Sequence, residues 1–391
     1  MHSAVFSIAV VACASLAKIT DALSLPLPNG PFNVGSKAYL LPKITSPDPV
    51  APNRTGTTIL LNFYYPTHSQ PVRAEYIWKG LASIYEKYYK IPYGSFRNAT
   101  ALVSYDAKAL HAREHAKLRL PTLVFGPPFA GPPSQLFYSL FSDLVSYGYN
   151  VVTIDHPYEQ PFLEFPDGTG IPGLAMDFNP PGDGLEYLNN LIEYRLSDTS
   201  AVLDALPTLS QNLAIPLNVS HVALFGHSLG GPVALGQILV ERKRNSTTTI
   251  LGAINIDGSV VGPAGTNDTS ADLKIPSLLV AASGHNHESD PTFPDFLKQQ
   301  SAWHKEVRIL GNVNHTDFSD LVVLKQGAGI AGGEDAIRAT RLVEIVRKFV
   351  GDFLTFVGTT GEEGVLSGSV SVKKAWPEVD FVYNGTGSVP S

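Results

Sequence analysis

The sequence predicts an α/β protein with a mostly parallel central sheet and helices on both faces. Short apolar segments of strand length alternate with segments of helical periodicity between residues 121 and 357. The strand segments are continuously apolar, which is typical of strands buried on both faces of a sheet. Of the 391 residues, 44% are hydrophobic and 16% are charged, so the chain has enough apolar material for a large core.

The region before this alternation is predicted to be mixed. Residues 24 to 56 are rich in Pro, Gly and Asn and are expected to be extended. Residues 57 to 65 (TTILLNFYY) are β-branched and aromatic and are followed by Pro66, which predicts a strand. Residues 74 to 118 carry Tyr, Leu and Ile at spacings of three and four, which predicts an inserted helical layer.

The alternating region supplies the main elements of the predicted sheet. Six apolar segments predict its strands: 121–125, 150–154, 221–225, 250–256, 277–282 and 306–310. Four amphipathic segments predict its helices: 135–147, 185–206, 230–243 and 336–357. A Pro- and Gly-rich stretch predicts a long loop over residues 157–184.

The amino terminus predicts a secreted protein. Residues 4 to 17 are almost wholly apolar, and small residues allow cleavage after Ala17 or Ala22, as in a signal peptide. This stretch is too short to span a bilayer, which disfavours the alternative of a membrane anchor. We therefore expect three parts: a signal peptide (1–22), an α/β domain (23–358) and a tail of unassigned structure (359–391).

Cysteine content, net charge and N-glycosylation sequons indicate how the mature chain is stabilised and modified, and which partners are excluded. Cys13 is the only cysteine and lies in the leader, so the mature chain would be held by its core without disulfides. The net charge is −7, which argues against nucleic acid as a partner. On a eukaryotic secretory route, N-x-S/T sequons would carry glycans. Seven begin at Asn53, Asn98, Asn218, Asn245, Asn267, Asn314 and Asn384.

Residues 226–230 (GHSLG) match the G-x-S-x-G pattern, with Ser228 at its centre. An apolar strand precedes the pattern and a Gly-rich helix follows it, which is the context of the nucleophile elbow in an α/β-hydrolase fold. The sharp turn exposes the serine Oγ, and the helix amino terminus favours developing negative charge. We therefore predict that Ser228 is a nucleophile; the alternative is a Gly-rich turn with a capping serine.

A serine nucleophile needs a base, and in this fold the base follows the nucleophile and the acid in the chain. His315 lies just past the last predicted strand, which is the usual place for the base. We expect the neighbouring sequon at Asn314 to be bare for this reason. His227 is expected to be structural, and His304 is expected to be a packed or surface residue on a helix.

The acid is left open by spacing alone. Asp257 ends the strand 250–256, whereas Glu288 and Asp290 follow the next strand. His285 and His287 lie in the same stretch as these later carboxylates, which also allows a metal pair. The spacing matches no specific metal site, so no metal is predicted.

Seven segments in order point to one family: 30–35 (GPFNVG), 61–66 (LNFYYP), 123–125 (LVF), 143–149 (DLVSYGY), 226–231 (GHSLGG), 255–258 (NIDG) and 314–320 (NHTDFSD). Together they resemble the platelet-activating factor acetylhydrolases of the plasma and intracellular type II kind. The resemblance covers residues 30 to 325. It implies an α/β-hydrolase fold, Asp257 as the acid, His315 as the base and no cofactor. It also implies a short or oxidised sn-2 acyl group of a phospholipid as substrate.

The chain departs from the family at the oxyanion segment, where Pro127-Pro128 replaces the usual His-Gly pair. An oxyanion hole needs backbone N–H groups, and proline has none. Phe129 is the next residue with an N–H and aligns with the family's donor position. We therefore expect the N–H groups of Phe129 and Leu229 to bind the oxyanion.

The sequence thus predicts a secreted serine carboxylic-ester hydrolase that cleaves short acyl esters of small molecules or lipids through an acyl-enzyme and contacts lipid surfaces peripherally. One alternative is a general secreted carboxylesterase or lipase, and another is a catalytically silent binding protein of the same fold. Arg195 and Asp198 are expected to form a structural ion pair. Seven apolar residues are expected either to line an acyl pocket or to cover the core: Phe129, Phe137, Tyr138, Phe141, Phe162, Phe165 and Met176.

Overall fold

A sheet of 11 strands runs through the protein. The computed structural model describes residues 23–182, 184–285, 287, 289–330 and 332–385, so the predicted signal peptide lies outside it. The strands are β1 (Asn33–Thr45), β2 (Gly56–Thr67), β3 (Val72–Glu75), β4 (Thr100–Tyr105), β5 (Thr122–Gly126), β6 (Asn150–Asp155), β7 (Phe162–Glu164), β8 (Gly170–Pro172), β9 (His221–His227), β10 (Thr249–Ile256), β11 (Ser277–Ala282), β12 (His304–Ile309) and β13 (Val379–Gly385).

The sheet has a parallel centre, and its outer strands pair antiparallel except for β1 and β4, which are parallel. Its order is β13-β12-β11-β10-β9-β5-β6-β2-β1-β4-β3. The six strands from β12 to β6 are parallel to one another. These six are the strands predicted from the apolar segments. Because parallel strands end at the same edge of a sheet, the loops that follow them meet there.

Helices cover both faces of this sheet. They are α1 (Lys79–Tyr89), α2 (Ala112–His115), α3 (Tyr138–Ser146), α4 (Gly184–Leu213), α5 (Gly230–Arg244), α6 (Thr292–Gln299), α7 (Leu321–Gly327), α8 (Ala339–Thr355) and α9 (Val370–Ala375). Leu123 and Phe125 of β5 pack in one core cluster with α3 and α8, while Val124 packs in the other with α4, α5 and α6. The predicted layered arrangement is therefore confirmed. No helix in the described part of the chain is long and apolar enough to cross a membrane.

The predicted inserted helical layer over residues 74–118 is wrong. Only α1 is a helix of several turns there, and the segment supplies β3 and β4 to the edge of the sheet. In β4, Ala101 and Val103 are buried whereas Leu102 between them is less so, which is the two-residue alternation of a strand. The helical spacing that suggested a layer holds only over α1.

Three other segments have more regular structure than the sequence predicts. The stretch 24–56 contains β1, which pairs antiparallel with β2. The predicted loop 157–184 contains the small hairpin of β7 and β8. The tail contains α9 and β13, and β13 pairs antiparallel with β12 at the edge of the sheet. His304 lies on β12 rather than on a helix, and it is buried against Tyr383.

Candidate active site

Ser228 lies in a strained turn between β9 and α5. Its φ angle is 54°, in the left-handed region that residues other than glycine rarely adopt. The Ser228 N–H donates to the carbonyl of Ile256 on the neighbouring strand at 2.8 Å. Such strained residues cluster at active sites because the surrounding structure must hold them there. The turn therefore has the geometry that the G-x-S-x-G pattern predicts.

Glycines let three chain segments meet at this turn. A Cβ on Gly226 would lie 2.2 Å from the Gly230 carbonyl group, and a Cβ on Gly230 would lie 2.0 Å from the carbonyl oxygen of Gly126. The first turn of α5 thus packs directly on the ends of β9 and β5. This close approach brings Leu229 next to the segment that begins at Pro127. The N–H groups of a helix's first turn have no acceptor within the helix, which leaves them for a ligand.

Asp257 follows β10 and lies beside the serine turn. Its neighbour Ile256 pairs with His227 across the two strands, so Asp257 and Ser228 are the next residues along each strand. Asp257 also has a positive φ, 57°. Asn255 holds this turn through Gly258, whose carbonyl accepts from Asn255 Nδ2 at 2.6 Å and whose N–H donates to Oδ1 at 3.0 Å.

His315 reaches Asp257 from the loop after β12. Its Nδ1 lies 2.6 Å from Oδ2 of Asp257, while the side chain remains 50% exposed and that of Asp257 only 2%. A capping box between Asn314 and Asp317 fixes the 3-10 turn that begins at His315. With Nδ1 bound to the carboxylate, Nε2 is the nitrogen left for proton transfer. The structure thus joins Asp257 to His315 and places Ser228 at the end of the strand beside Asp257.

His227 packs against the His315 ring and hydrogen-bonds to the His315 backbone. The two rings are 4.7 Å apart, and Nε2–H of His227 donates to the backbone carbonyl of His315 at 2.8 Å. Burial, with the neighbouring His315, lowers the pKa of His227 to about 3. His227 is therefore neutral and positions the His315 backbone, in line with the structural role expected of it.

A second histidine, His285, also contacts the acid. Its Nδ1 lies 3.2 Å from Oδ1 of Asp257 and its Nε2 lies 2.7 Å from Asp290. The N–H of Ala282 donates to the same Oδ1 of Asp257 at 2.8 Å. This role was missed from the sequence. The available signal was that His285 follows β11, the strand beside β10, so both loops emerge at one edge.

These contacts set the charges of the cluster. Burial would raise the pKa of Asp257, but hydrogen bonds with His285 and His315 outweigh it and hold the pKa well below the ordinary value. Burial would lower the pKa of His285, yet its bonds to Asp257 and Asp290 raise it to about 9. At neutral pH the site therefore contains an ionised Asp257 between a protonated His285 and the exposed His315.

The later carboxylates and the histidine pair have other partners. Asp290 bonds His285 rather than His315, and Glu288 lies outside the described residues. His287 Nε2 contacts the buried Glu306, so His285 and His287 do not converge on one point. Among the described residues, the group with ligand atoms within 4.8 Å of one another is His227, Asp257 and His315. Within that group, Asp257 contacts Nδ1 of His315, and His227 donates to the backbone carbonyl of His315.

The ion pair predicted between Arg195 and Asp198 is wrong. Arg195 pairs with Glu159, and Asp198 pairs with His156. The reason is direction: Arg195 points toward Glu159 and the Pro127-Pro128 backbone, whereas Asp198 points toward His156 and Thr45 of β1. The Arg195 guanidinium also donates to the carbonyls of the predicted oxyanion segment.

The aromatic residues divide between core and cavity. Phe137 and Phe141 are buried in the core cluster around α3 and cover the core. Tyr138 belongs to the same cluster and also lines a cavity of 650 Å³. Phe129 is partly buried against aromatic rings of the neighbouring loop and α4, and Phe162 packs against the backbone of α1. The last two line separate cavities: Phe165 that of 650 Å³ and Met176 one of 370 Å³.

The smaller cavity lies against the loop that carries His315. Asn314 and Thr316, on either side of His315, form part of its wall. Apolar and aromatic side chains complete much of it, including Tyr88, Tyr89, Met176, Val322 and Leu342. Its volume of 370 Å³ falls within the usual range for small-molecule sites.

Comparison with known proteins follows this geometry. No family model matches the sequence. A protein from Arthroderma benhamiae, described as a probable 1-alkyl-2-acetylglycerophosphocholine esterase, is 29% identical over 279 residues. This similarity agrees with the family resemblance found in the sequence motifs. The match covers 67% of this chain and 66% of that protein, just under two thirds of its length.

A solved structure has the same fold as this chain. A ferulic acid esterase from Streptomyces cinnamoneus superposes with a TM-score of 0.71, covering 93% of this chain and 100% of the other. The sequence identity is 22%, so the likeness concerns the fold. The α/β-hydrolase fold predicted from the sequence is confirmed.

Proposed function

We propose that this protein is a secreted serine esterase that cleaves short acyl esters, including sn-2 acyl groups of phospholipids. The observation that carries the proposal is the convergence of Ser228, Asp257 and His315 at the carboxyl edge of the sheet. The 2.6 Å contact between His315 Nδ1 and Asp257 Oδ2 leaves Nε2 facing outward as a base. Serine, base and orienting acid are the components of an acyl-transfer site.

In the proposed reaction, Ser228 Oγ attacks the ester carbonyl carbon while His315 Nε2 accepts the hydroxyl proton. Asp257 stabilises the resulting imidazolium. The backbone N–H groups of Leu229 and Phe129 bind the negative charge on the carbonyl oxygen. His315 then protonates the leaving alcohol, and an acyl-enzyme remains. Water, deprotonated by the same histidine, releases the acid and restores Ser228.

Two observations support a lipid-like ester as substrate. The first is the name of the Arthroderma relative, which specifies an acetylated alkyl glycerophospholipid. The second is the 370 Å³ cavity beside His315, whose Tyr88, Tyr89 and Met176 suit the apolar part of an ester. Peripheral contact with a lipid surface belongs to the same proposal.

Secretion and glycosylation are supported by the sequence pattern at the amino terminus and by the sequons. The side chains of Asn53, Asn98, Asn245 and Asn267 are exposed, as glycan attachment requires. At Asn314 the amide Nδ2 already donates to Asp317 in the capping box at 3.1 Å. A glycan there would remove that bond beside the base, which favours a bare Asn314.

The test is hydrolysis of p-nitrophenyl acetate, butyrate and octanoate, and of a short-acyl phospholipid, by purified protein. Ser228→Ala is compared with Ser220→Ala, an exposed serine at the opposite end of β9. A fluorophosphonate should label the wild type and Ser220→Ala but not Ser228→Ala. Preference for acetate and turnover of the phospholipid are expected. Preference for octanoate would favour the general carboxylesterase, and absence of labelling and turnover would favour the silent binding protein.

A further inference from the structure

A buried ion pair lies directly behind the oxyanion segment. Arg195 of α4 is 1% exposed and Glu159, from the loop after β6, is 0% exposed. The guanidinium Nε donates to Glu159 Oε2 at 3.1 Å, and Nη2 contacts Oε1. Nη1 donates to the carbonyl of Pro127 at 2.6 Å, and Nη2 donates to that of Pro128 at 3.3 Å.

Burying such an ion pair costs free energy unless further hydrogen bonds satisfy its remaining donors and acceptors. The desolvation of two charges often exceeds the Coulomb attraction, so apolar residues of similar volume would stabilise a core as well or better. Here the guanidinium is satisfied by Glu159 and by two consecutive backbone carbonyls. Glu159 also accepts from the Tyr194 hydroxyl, and Gln160 Nε2 lies 3.5 Å from the Pro128 carbonyl oxygen. The whole network therefore converges on one dipeptide.

Few other hydrogen bonds can hold the backbone of Pro127 and Pro128 in place. Neither Pro127 nor Pro128 has an N–H, so their carbonyl oxygens are the backbone groups through which they can be hydrogen-bonded. The carbonyl of Pro128 and the N–H of Phe129 belong to the same planar trans peptide and point in opposite directions. A donor that holds the Pro128 oxygen therefore also fixes the direction of the Phe129 N–H.

We propose, on the basis of the proposed esterase function, that Arg195, held by Glu159, is a positioning residue for the oxyanion hole. It holds the Pro128 oxygen toward α4 and so aims the Phe129 N–H away from α4. Tyr187, two turns earlier on the same helix, packs against the Phe129 ring and holds the side chain of the same residue. In this chain the ion pair compensates for the proline pair at the oxyanion segment.

The test separates positioning from general stability. Arg195→Lys loses the fork that spans two carbonyls, because an ammonium is a point donor. Arg347→Lys is the matched control, since Arg347 is also buried and donates to the carbonyls of Ser139, Leu27 and Pro26, away from the site. Melting temperature, kcat and KM are measured for both variants on p-nitrophenyl butyrate, with inhibition by a trifluoromethyl ketone that forms an oxyanion on Ser228.

For Arg195→Lys we expect kcat to fall about 100-fold, the typical cost of one misplaced oxyanion donor. KM should stay close to the wild-type value, and ketone affinity should fall in parallel with kcat. Arg347→Lys should lose melting temperature with kcat unchanged. A similar small change in kcat for both variants at similar melting temperatures would overturn the proposal. If Arg195→Lys does not fold, Tyr194→Phe removes one bond to Glu159 and should lower kcat several-fold; an unchanged kcat there would also overturn it.

The failure of this proposal is distinguishable from failure of the esterase function. If Ser228→Ala retains full turnover, the proposed active site is wrong. If Ser228→Ala is inactive but Arg195→Lys and Tyr194→Phe keep wild-type kcat and ketone affinity, the active site stands and the positioning role of Arg195 is wrong.

Discussion

His285 Nδ1 lies 3.2 Å from Oδ1 of Asp257, the carboxylate oxygen that His315 does not contact. The carboxylate is therefore bound on both sides by imidazoles. Because Asp290 binds the far nitrogen of His285 at 2.7 Å, the second imidazole is itself held in place. The rotation of the Asp257 carboxylate, and with it the direction of His315, depends on this chain of contacts.

Replacing His285 should lower activity without removing the nucleophile. His285→Phe keeps the ring contact with Phe293, at 4.7 Å, but deletes both hydrogen bonds. We expect kcat to fall about 10- to 100-fold, the usual effect of losing a residue that orients a functional side chain. Fluorophosphonate labelling rates should fall in parallel. The control is His304→Phe, a buried histidine on β12 away from the site, which should keep wild-type kcat.

The protonated state of His285 predicts a pH dependence of stability. Its pKa is about 9 in the folded protein and about 6.5 in an unfolded chain. The stabilisation of the folded protein by protonated His285 is therefore complete below about pH 6.5 and is lost as the pH rises through about 9. The free energy of unfolding should fall by about 1–3 kcal/mol over this window relative to His285→Phe. Denaturant titrations of both proteins measure it, and a pH-independent difference between them would contradict the prediction.

The two acids considered from the sequence should behave differently. Asp257→Asn removes the charge that holds the His315 tautomer, so kcat should fall by about 10⁴-fold with little change in KM. Asp290 reaches the site through His285, while its other oxygen accepts from Thr292, so the loss of kcat in Asp290→Asn should be no larger than that in His285→Phe. Steady-state kinetics on p-nitrophenyl butyrate separates the two variants. Equal losses would mean that Asp257 is not the acid.

The close packing at the nucleophile turn predicts intolerance of a methyl group. Gly226→Ala would place Cβ 2.2 Å from the Gly230 backbone, which cannot move without shifting α5. We expect a stability loss of about 1–3 kcal/mol and a large loss of activity. In Gly351→Ala, on α8, Cβ meets nothing within 4 Å, so the free energy of unfolding should rise by about 1 kcal/mol. Thermal unfolding and turnover measure both.

The sequence could place most of the sheet because its central strands are buried on both faces. Strands 277–282 and 250–256 were predicted to within one residue, since continuous apolar runs of that length have few other structures. The edge strands were harder. The segment that forms β3 and β4 predicts a helix because its strands are short and amphipathic. The pairing of β4 with β1 cannot be predicted from local spacing.

By itself the sequence determined the nucleophile turn, because G-x-S-x-G between a strand and a helix encodes local backbone geometry. It also placed His315 after the last strand and Asp257 after β10, with the family resemblance deciding between acids. Only the tertiary structure decided which side chains support them. His285 contacts Asp257, which lies 28 residues away in the chain. Arg195 contacts Pro127, which lies 68 residues away. Such contacts depend on which loops the strand order brings to one edge, and local patterns do not specify that order.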